Sequence, residues 1–385
     1  MSASQASANQ ASTNQASTGP AAPLPPETIT LSSVPGFIVL DLPGAGLSAG
    51  GTRLAPDVTP AEVALLARAM TYKFAVLGAH VGGAKAGVRA DPADGPARAA
   101  LMAGYCAEIG PLVAAGRFLT GPDMGTFEED FAPLRARNAA PGAMTASVNG
   151  VPFEDLLTGF GVTVAAETAL RSGPAGRPGG WDGCSVAIEG FGKAGGGVAT
   201  EVTRRGGRVV AVSTLAGCLS DPAGLDVGRL LALRAGHGDR CVTAYGAPAG
   251  PPAQLFTVAA DVLVPGTRPG AITAATARGL PAAVRVIAPA ANAPYTRAGA
   301  DELHRRGILA LPDFVSNAGA VLGYRSPSGS TPEQVMAATE ERIAGLTGEA
   351  LGHPDGPLAG GCAMAEEFLR GWWGAPPGPP FAPGD

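Results

Sequence analysis

The chain has 385 residues, is 46% apolar and 15% charged, and sets 27 Lys and Arg against 32 Asp and Glu for a formal net charge of −5. That length exceeds what one folding unit usually holds, so two domains are expected. The acidic balance leaves nothing to neutralise phosphate, which excludes a nucleic-acid binder, and no uninterrupted apolar run reaches the length of a membrane span.

Residues 1–28 are rich in Ser, Ala, Gln, Asn and Thr and end in prolines. With no basic start and no apolar stretch they are not a secretory signal, and they read as a disordered tail. Residues 36–42 (GFIVLDL) predict a strand. Residues 60–77 predict a helix, with Pro60 in its first turn and apolar residues three or four apart. A second helix is expected over 95–116, and Pro- and Gly-containing segments between Ala132 and Pro152 mark a crossover between domains. A second series then opens with a helix over 156–171 and a buried strand over 184–189 (CSVAIE), followed by a helix running to Arg205. Strands over 208–214, 261–264 and 284–288 continue it, with the segment ILALPDF at 308–314. Residues 332–349 and 361–371 predict helices, and the stretch from Gly374 reads as a second disordered tail. Alternating strands and helices define an α/β protein, divided into units over 29–148 and 149–329, with C-terminal helices over about 330–373.

The motif with the clearest context is Gly190-Phe191-Gly192-Lys193-Ala194-Gly195, a GxGxxG between an apolar strand and an amphipathic helix. Its glycines let the backbone approach a pyrophosphate, and the helix start supplies N–H donors and a positive dipole end. Lys193 in this loop either touches phosphate or points into solvent. The next strand ends in Ser213-Thr214, where a fold of this kind usually carries an acidic ribose ligand. Without that carboxylate the coenzyme is NAD or NADP, with Arg204, Arg205 or Arg208 as candidates for a 2′-phosphate.

Five dispersed cysteines form no CxxC and four histidines form no HExxH. Neither a disulfide framework nor a metal site is expected, and a reducing, cytoplasmic setting fits. The basic residues include only three lysines: Lys73, Lys85 and Lys193. Arginine serves wherever a generic positive charge is enough, so the surviving lysines are candidates for work that needs a group able to lose its proton. Lys85 stands in GGAKAG, where glycines shield it and could lower its pKa for acid/base chemistry. Lys73 ends the helix segment MTYK and could anchor a carboxylate, and Asp123 lies in the turn GPDMGT. Taken singly, each of the three also suits an ordinary turn or helix end.

In order, MTYK, GGAKAG followed by DP, TGPDMGT, GFGKAG and PDFVSNAGAV resemble the motifs of the Glu/Leu/Phe/Val amino-acid dehydrogenases over about residues 36–325. The segment Leu156-Leu157-Thr158-Gly159 is similar to that family's element beside the nicotinamide. The resemblance implies an N-terminal substrate domain, a Rossmann-type second domain with the active site in the cleft between them, and a C-terminal helix packed back on the first domain. It further implies NAD(P)-dependent, reversible deamination of an L-amino acid to a 2-oxo acid and ammonia by a homo-oligomer. Lys73 would bind the substrate α-carboxylate, Lys85 would activate water and polarise the carbonyl, and Asp123 would move protons to and from the substrate nitrogen. Thr158, Asn292 and Asn317 would face the cleft.

Glutamate members carry a lysine where this chain has Ala49, and a serine where it has Tyr324. Without these grips a γ-carboxylate would sit unpaired in a partly desolvated site. A pocket of Ala49, Gly121, Val321 and Tyr324 points to an apolar or aromatic side chain and places the chain nearer the leucine/phenylalanine/valine type. The alternatives are a glutamate dehydrogenase with an altered pocket and a catalytically silent nucleotide-binding paralogue. The family's EGANGP reads Pro289-Ala290-Ala291-Asn292-Ala293-Pro294 here, and its NAGGV reads NAGAV.

Overall fold

The computed structural model describes residues 24–92, 95–134, 142–148, 151–172 and 176–384. Most of the N-terminal tail expected over 1–28 lies outside them. The described chain already forms strand β1 (Glu27–Thr30) before that tail was expected to end. With β2 (Gly36–Leu40), β3 (Ser48–Ala49), β4 (Thr52–Leu54), β5 (Gly82–Val88) and β6 (Phe118–Leu119) it builds the first sheet, in the order β1-β2-β5-β3-β6, with β4 also paired to β5. The β1–β2 and β2–β5 pairs are antiparallel and the others parallel. The GGAKAG segment is therefore a strand rather than a turn, buried along its whole length. Its small residues let the sheet press against helix α1 (Pro60–Val76): a Cβ on Gly83 would lie 2.0 Å from the Ala67 carbonyl oxygen. Thr59 caps α1 by accepting from the Glu62 N–H, and Pro60 occupies the first turn, where its missing donor costs nothing. Helix α2 (Gly95–Ala114) completes the domain, covering Leu40, Leu54 and Val88 with Met102, Tyr105 and Ile109.

A short hairpin, β7 (Ser147–Val148) and β8 (Val151–Pro152), leads into α3 (Phe153–Arg171). Then come β9 (Ser185–Glu189), α4 (Lys193–Arg204), β10 (Arg208–Thr214), β11 (Gly217–Ser220), α5 (Val227–His237), α6 (Cys241–Ala244), β12 (Val262–Val264), α7 (Ala274–Gly279), β13 (Val286–Ile287), α8 (Arg297–Arg305) and β14 (Leu309–Ala310). The second sheet runs β11-β10-β9-β12-β13-β14, parallel except for the edge strand β11. The chain leaves β9 toward β10 and later returns to its other side at β12. The carboxyl end of β9 is thus a topological switch point, where an open α/β sheet leaves a crevice for a ligand.

Short helices α9 (Asp313–Ser316) and α10 (Gly319–Tyr324) lead into α11 (Pro332–Leu351) and α12 (Pro357–Trp372). Helix α11 packs on α3, and α12 returns to α1 of the first domain. Tyr72 donates to Glu366 Oε1 at 3.1 Å, and Arg342 donates to the Val76 carbonyl at 3.0 Å.

The stretch after Gly374 corrects the expectation of a second disordered tail. Arg68 of α1 donates to the carbonyls of Pro377 (2.6 Å) and Gly378 (3.3 Å). Ala382 bonds back to Tyr295 at 2.9 Å, and the Arg297 guanidinium lies 3.9 Å from the Phe381 ring centre. Proline and glycine suppress regular structure there, but backbone carbonyls and one aromatic ring suffice to dock the strap. All five cysteines are free and buried. Among the described residues no helix is long and apolar enough to cross a membrane, and no cluster of side chains could hold a metal.

Candidate active site

Lys85 faces the cleft from the middle of β5, opposite Val39 of β2 in the sheet register. Its ammonium forms an ion pair with Asp123 Oδ2. Arg53, in the middle of β4, adds its guanidinium 3.5 Å from Asp123 Oδ1 and is itself paired to Glu62. Burial alone would raise the Asp123 carboxyl, but Lys85 and Arg53 outweigh it and hold the group far below the usual carboxylate range. The Asp123 N–H donates to Thr126 Oγ1, which in turn donates to the Thr52 carbonyl, both at 2.8 Å. These bonds fix the turn that presents the carboxylate.

Lys73 reaches the same cleft from α1. Its Nζ lies 3.4 Å from Asn292 Oδ1 and 3.5 Å from the Asn317 carbonyl. Asn317 donates from Nδ2 to Asn292 Oδ1 at 2.9 Å and to the Ala290 carbonyl at 3.1 Å, which locks both asparagines. Burial pushes the Lys73 ammonium down to about 8; Asp313 works against this, and Lys85 adds to it. Asp313, 2% exposed, accepts from the Ala293 N–H at 2.9 Å and is itself pushed up to about 6 by burial. Ala293 is the one non-glycine with a positive φ, 49°, among the described residues, at a position where the family motif carries glycine.

A cavity of about 530 Å³ opens between these groups. Lys73, Lys85, Asn292 and Asn317 line it together with Ala49, Gly121, Thr158, Val321 and Tyr324, so nine residues singled out from the sequence meet there. A second cavity, about 450 Å³, adjoins it and is lined by Asp123, Gly192, Lys193, Ala194 and Arg234; Thr158 and Asn292 belong to both. Helices α3 and α4 cross on two glycines, since a Cβ on Gly159 would lie 2.4 Å from Gly197 backbone carbon. That contact brings Thr158 against the loop after β9.

The loop itself suits a dinucleotide pyrophosphate. Gly190 has φ 83°, and a Cβ on Gly195 would lie 1.9 Å from the Gly190 carbonyl oxygen. Gly192 caps α4 with no side-chain hydrogen bond, and a Cβ placed there would meet nothing within 4 Å. The helix therefore presents free N–H donors to open space, the arrangement that anions seek. Lys193 is 47% exposed, 3.8 Å from Asp155 Oδ1 and 5.4 Å from the Phe127 ring centre, so it borders the cavity while facing solvent.

Gly190, Gly195, Ser213 and Thr214 stand outside both cavities and shape the loop from behind. The Ser213 carbonyl accepts from the Gly190 and Phe191 N–H groups at 3.0 Å, and Thr214 Oγ1 donates to the Asp239 carbonyl at 2.6 Å. The arginines considered for a 2′-phosphate are misplaced for it. Arg204 bonds Glu201 within α4, and Arg205 is held by Glu167 and Glu340. Arg208 opens β10, about 20 Å along the strand from Thr214. Four residues lining or backing the site carried no role in the sequence reading: Arg53, Glu154, Arg234 and Asp313. Only Asp313 had a signal, as a lone acid inside the apolar run ILALPDFV.

A sheet with its switch point at an uncapped glycine-rich helix start, joined by a cleft to a domain presenting two buried lysines and an aspartate, defines a dinucleotide-dependent oxidoreductase. Residues 27–137 match the family described as Glu/Leu/Phe/Val dehydrogenase, dimerisation domain, and residues 150–326 match Glutamate/Leucine/Phenylalanine/Valine dehydrogenase. The NAD-specific glutamate dehydrogenase of Staphylococcus aureus (strain COL) is 31% identical over 303 residues, 76% of this chain and 71% of the relative. The hetero-hexameric glutamate dehydrogenase from Thermus thermophilus, in its leucine-bound form, superposes with a TM-score of 0.76 at 26% identity, covering 90% of this chain and 87% of its own. L-tryptophan dehydrogenase from Nostoc punctiforme shares the fold with a TM-score of 0.59 at 21% identity, covering 90% and 96%. The chain belongs to the Glu/Leu/Phe/Val dehydrogenase family. It is an amino-acid dehydrogenase that uses NAD(P).

Proposed function

We propose that this dehydrogenase oxidises an L-amino acid with an apolar or aromatic side chain to the 2-oxo acid and ammonia, reversibly, and that it stands with the leucine/phenylalanine/valine type. The observation that carries this reading is the wall of the larger cavity: Ala49, Met70, Phe74, Leu119 and Val321, with Tyr324 beside them. Besides Lys73 and Lys85, the cation on this lining is Arg325, which is exposed to solvent.

In this reading Lys73 holds the substrate α-carboxylate, helped by the asparagine pair that fixes its ammonium. Lys85 activates the water that adds at the substrate carbon and polarises the carbonyl in the reverse direction. Asp123, kept ionised by Lys85 and Arg53, accepts and returns the protons of the substrate nitrogen as ammonia departs. The nicotinamide, when bound, takes the hydride from Cα. Thr158 and Asn292, shared by the two cavities, orient substrate and coenzyme against each other. Gly192, Lys193 and Ala194 receive the pyrophosphate, Gly190 and Gly195 shape that turn, and Ser213 and Thr214 border the adenosine ribose. Asn317 holds Asn292 in place. The site arrangement also fits the division of the chain into a substrate domain over 29–148 and a coenzyme domain over 149–329. Residues 27–137 are the segment through which we expect copies of the chain to associate.

The test is a spectrophotometric panel at alkaline pH, with NAD or NADP against single L-amino acids. Turnover of valine, leucine, phenylalanine or tryptophan with little on glutamate is expected. Turnover on glutamate alone refutes the pocket reading and returns the altered-pocket glutamate dehydrogenase. Coenzyme binding with no turnover of any amino acid returns the silent paralogue.

A further inference from the structure

Two carboxylates that the reaction above does not use, Glu128 and Glu154, line the substrate cavity, and Glu154 also lines the adjoining one. Glu154 lies in the first turn of α3, one turn before Thr158, whose Oγ1 donates to the Glu154 carbonyl at 3.4 Å. Its side chain lines both cavities, so it stands where the substrate side chain passes the nicotinamide end of the cleft. Tyr324, at the end of α10, donates its hydroxyl to Glu154 Oε2 at 3.0 Å. Among the described residues this is the one hydrogen bond found to the carboxylate, and a carboxylate offers about four acceptor sites.

We infer that Glu154, aimed by Tyr324, sets the substrate class: the pocket takes an L-amino acid whose largely apolar side chain carries a hydrogen-bond donor, and rejects one ending in a carboxylate. The inference rests on the reading of this cavity as the substrate site.

Three observations support it. The cavity wall supplied by Met70, Phe74, Leu119 and Val321 is apolar, so a substrate group that enters must satisfy Glu154 or leave it poorly solvated. The charges that act on Glu154 are mostly of its own sign: Glu128 and Asp155 oppose ionisation, while exposed Lys193 favours it. A second carboxylate brought in by the substrate would add to this repulsion, and at Ala49 no cation is present to offset it. Burial, only partly countered by the Tyr324 bond, pushes Glu154 up to about 7, so at the alkaline pH of oxidative deamination it is an ionised, acceptor-only group. A site built around such an acceptor discriminates strongly against analogues lacking the donor, because the buried group is then left without its partner.

The experiment compares kcat/KM at pH 9 for phenylalanine (no side-chain donor), tryptophan (a neutral N–H), ornithine and arginine (cationic donors) and glutamate. It uses the full-length protein and the Glu154→Leu, Glu154→Gln and Tyr324→Phe variants. The parent protein is expected to favour tryptophan or a cationic substrate over phenylalanine by about tenfold or more. Glu154→Leu should collapse that ratio toward one, acting on KM rather than kcat. Glu154→Gln separates the two donor sources: it keeps a preference for tryptophan but removes one for ornithine or arginine. It should also raise kcat/KM for glutamate. Tyr324→Phe, which keeps the ring, should weaken the preference without abolishing it. Turnover on the panel with ratios that Glu154→Leu leaves untouched overturns the role of Glu154 while the dehydrogenase reading stands. No turnover and no ligand-induced thermal shift with any of the five amino acids overturns both.

Discussion

Replacing Lys73 by methionine should make the protein without ligand more stable while destroying its hold on substrate. Burial takes the Lys73 ammonium from its ordinary 10.5 to about 8, with Asp313 offsetting and Lys85 adding to the effect. At about 1.4 kcal/mol per pH unit, keeping Lys73 charged at pH 7 costs the fold about 3 kcal/mol. Methionine fills similar volume with no charge to desolvate. Its own losses are small: the Lys73 hydrogen bonds are long, at 3.4 and 3.5 Å, and Asn292 Oδ1 keeps its partner Asn317. Asp313 loses a favourable charge, but it already titrates near 6 and protonates when its partner goes, which limits that cost to about 1 kcal/mol. The expected net gain is about 2 kcal/mol at pH 7. The sign with pH follows from linkage. Between about 8 and 10.5 the unfolded chain holds the lysine proton and the folded chain does not, so the parent gains stability as pH rises through that window. The variant lacks this gain, so its advantage should shrink by about 1 kcal/mol between pH 7 and pH 9. Urea unfolding of both proteins at both pH values, at equal protein concentration, measures this, and titration with the 2-oxo acid and reduced coenzyme measures the lost binding. A methionine variant less stable than the parent at pH 7, or an advantage independent of pH, refutes the reasoning.

Lys85→Ala removes the ammonium that faces Asp123 and should lower kcat by about a thousandfold or more, with coenzyme affinity changed no more than about threefold, as read by fluorescence titration. Ala293→Gly relieves a left-handed alanine at φ 49° beside Asn292 and should raise stability by about 0.5–1 kcal/mol, after the entropy that glycine adds to the unfolded chain. An unchanged or lower melting temperature counts against strain at that position. Ending the chain after Gly374 removes the carbonyls that hold Arg68 and the ring beneath Arg297, and should cost about 2 kcal/mol, seen as a melting temperature lower by several degrees.

What the sequence made legible was whatever writes itself locally. Apolar spacing announced α1 and α3, continuous apolar runs announced β9 and β10, and glycines in a fixed pattern announced the loop at Gly190. The order of separated motifs picked out Lys73, Lys85 and Asp123 because few lysines competed with them. What stayed hidden depended on burial or on distance through space. GGAKAG looks like a turn because glycine and alanine have poor strand propensity, yet they are what a strand needs when a helix backbone presses to within a Cβ of it. The strap after Gly374 has no periodicity, since its hold comes from carbonyls meeting an arginine more than 300 residues away. Arg204, Arg205 and Arg208 sit close to the nucleotide motif in sequence, but a helix and a strand carry them to the opposite end of the sheet. Glu154 lay two residues before a segment already matched to the family, and nothing local marked it. Only the fold, by folding α10 back over the start of α3, brings the Tyr324 hydroxyl to its carboxylate and turns an unremarked acid into a wall of the substrate cavity. The catalytic groups can be read from motif order because the reaction fixes their chemistry, whereas the specificity groups depend on which side chains the fold happens to place against a variable substrate.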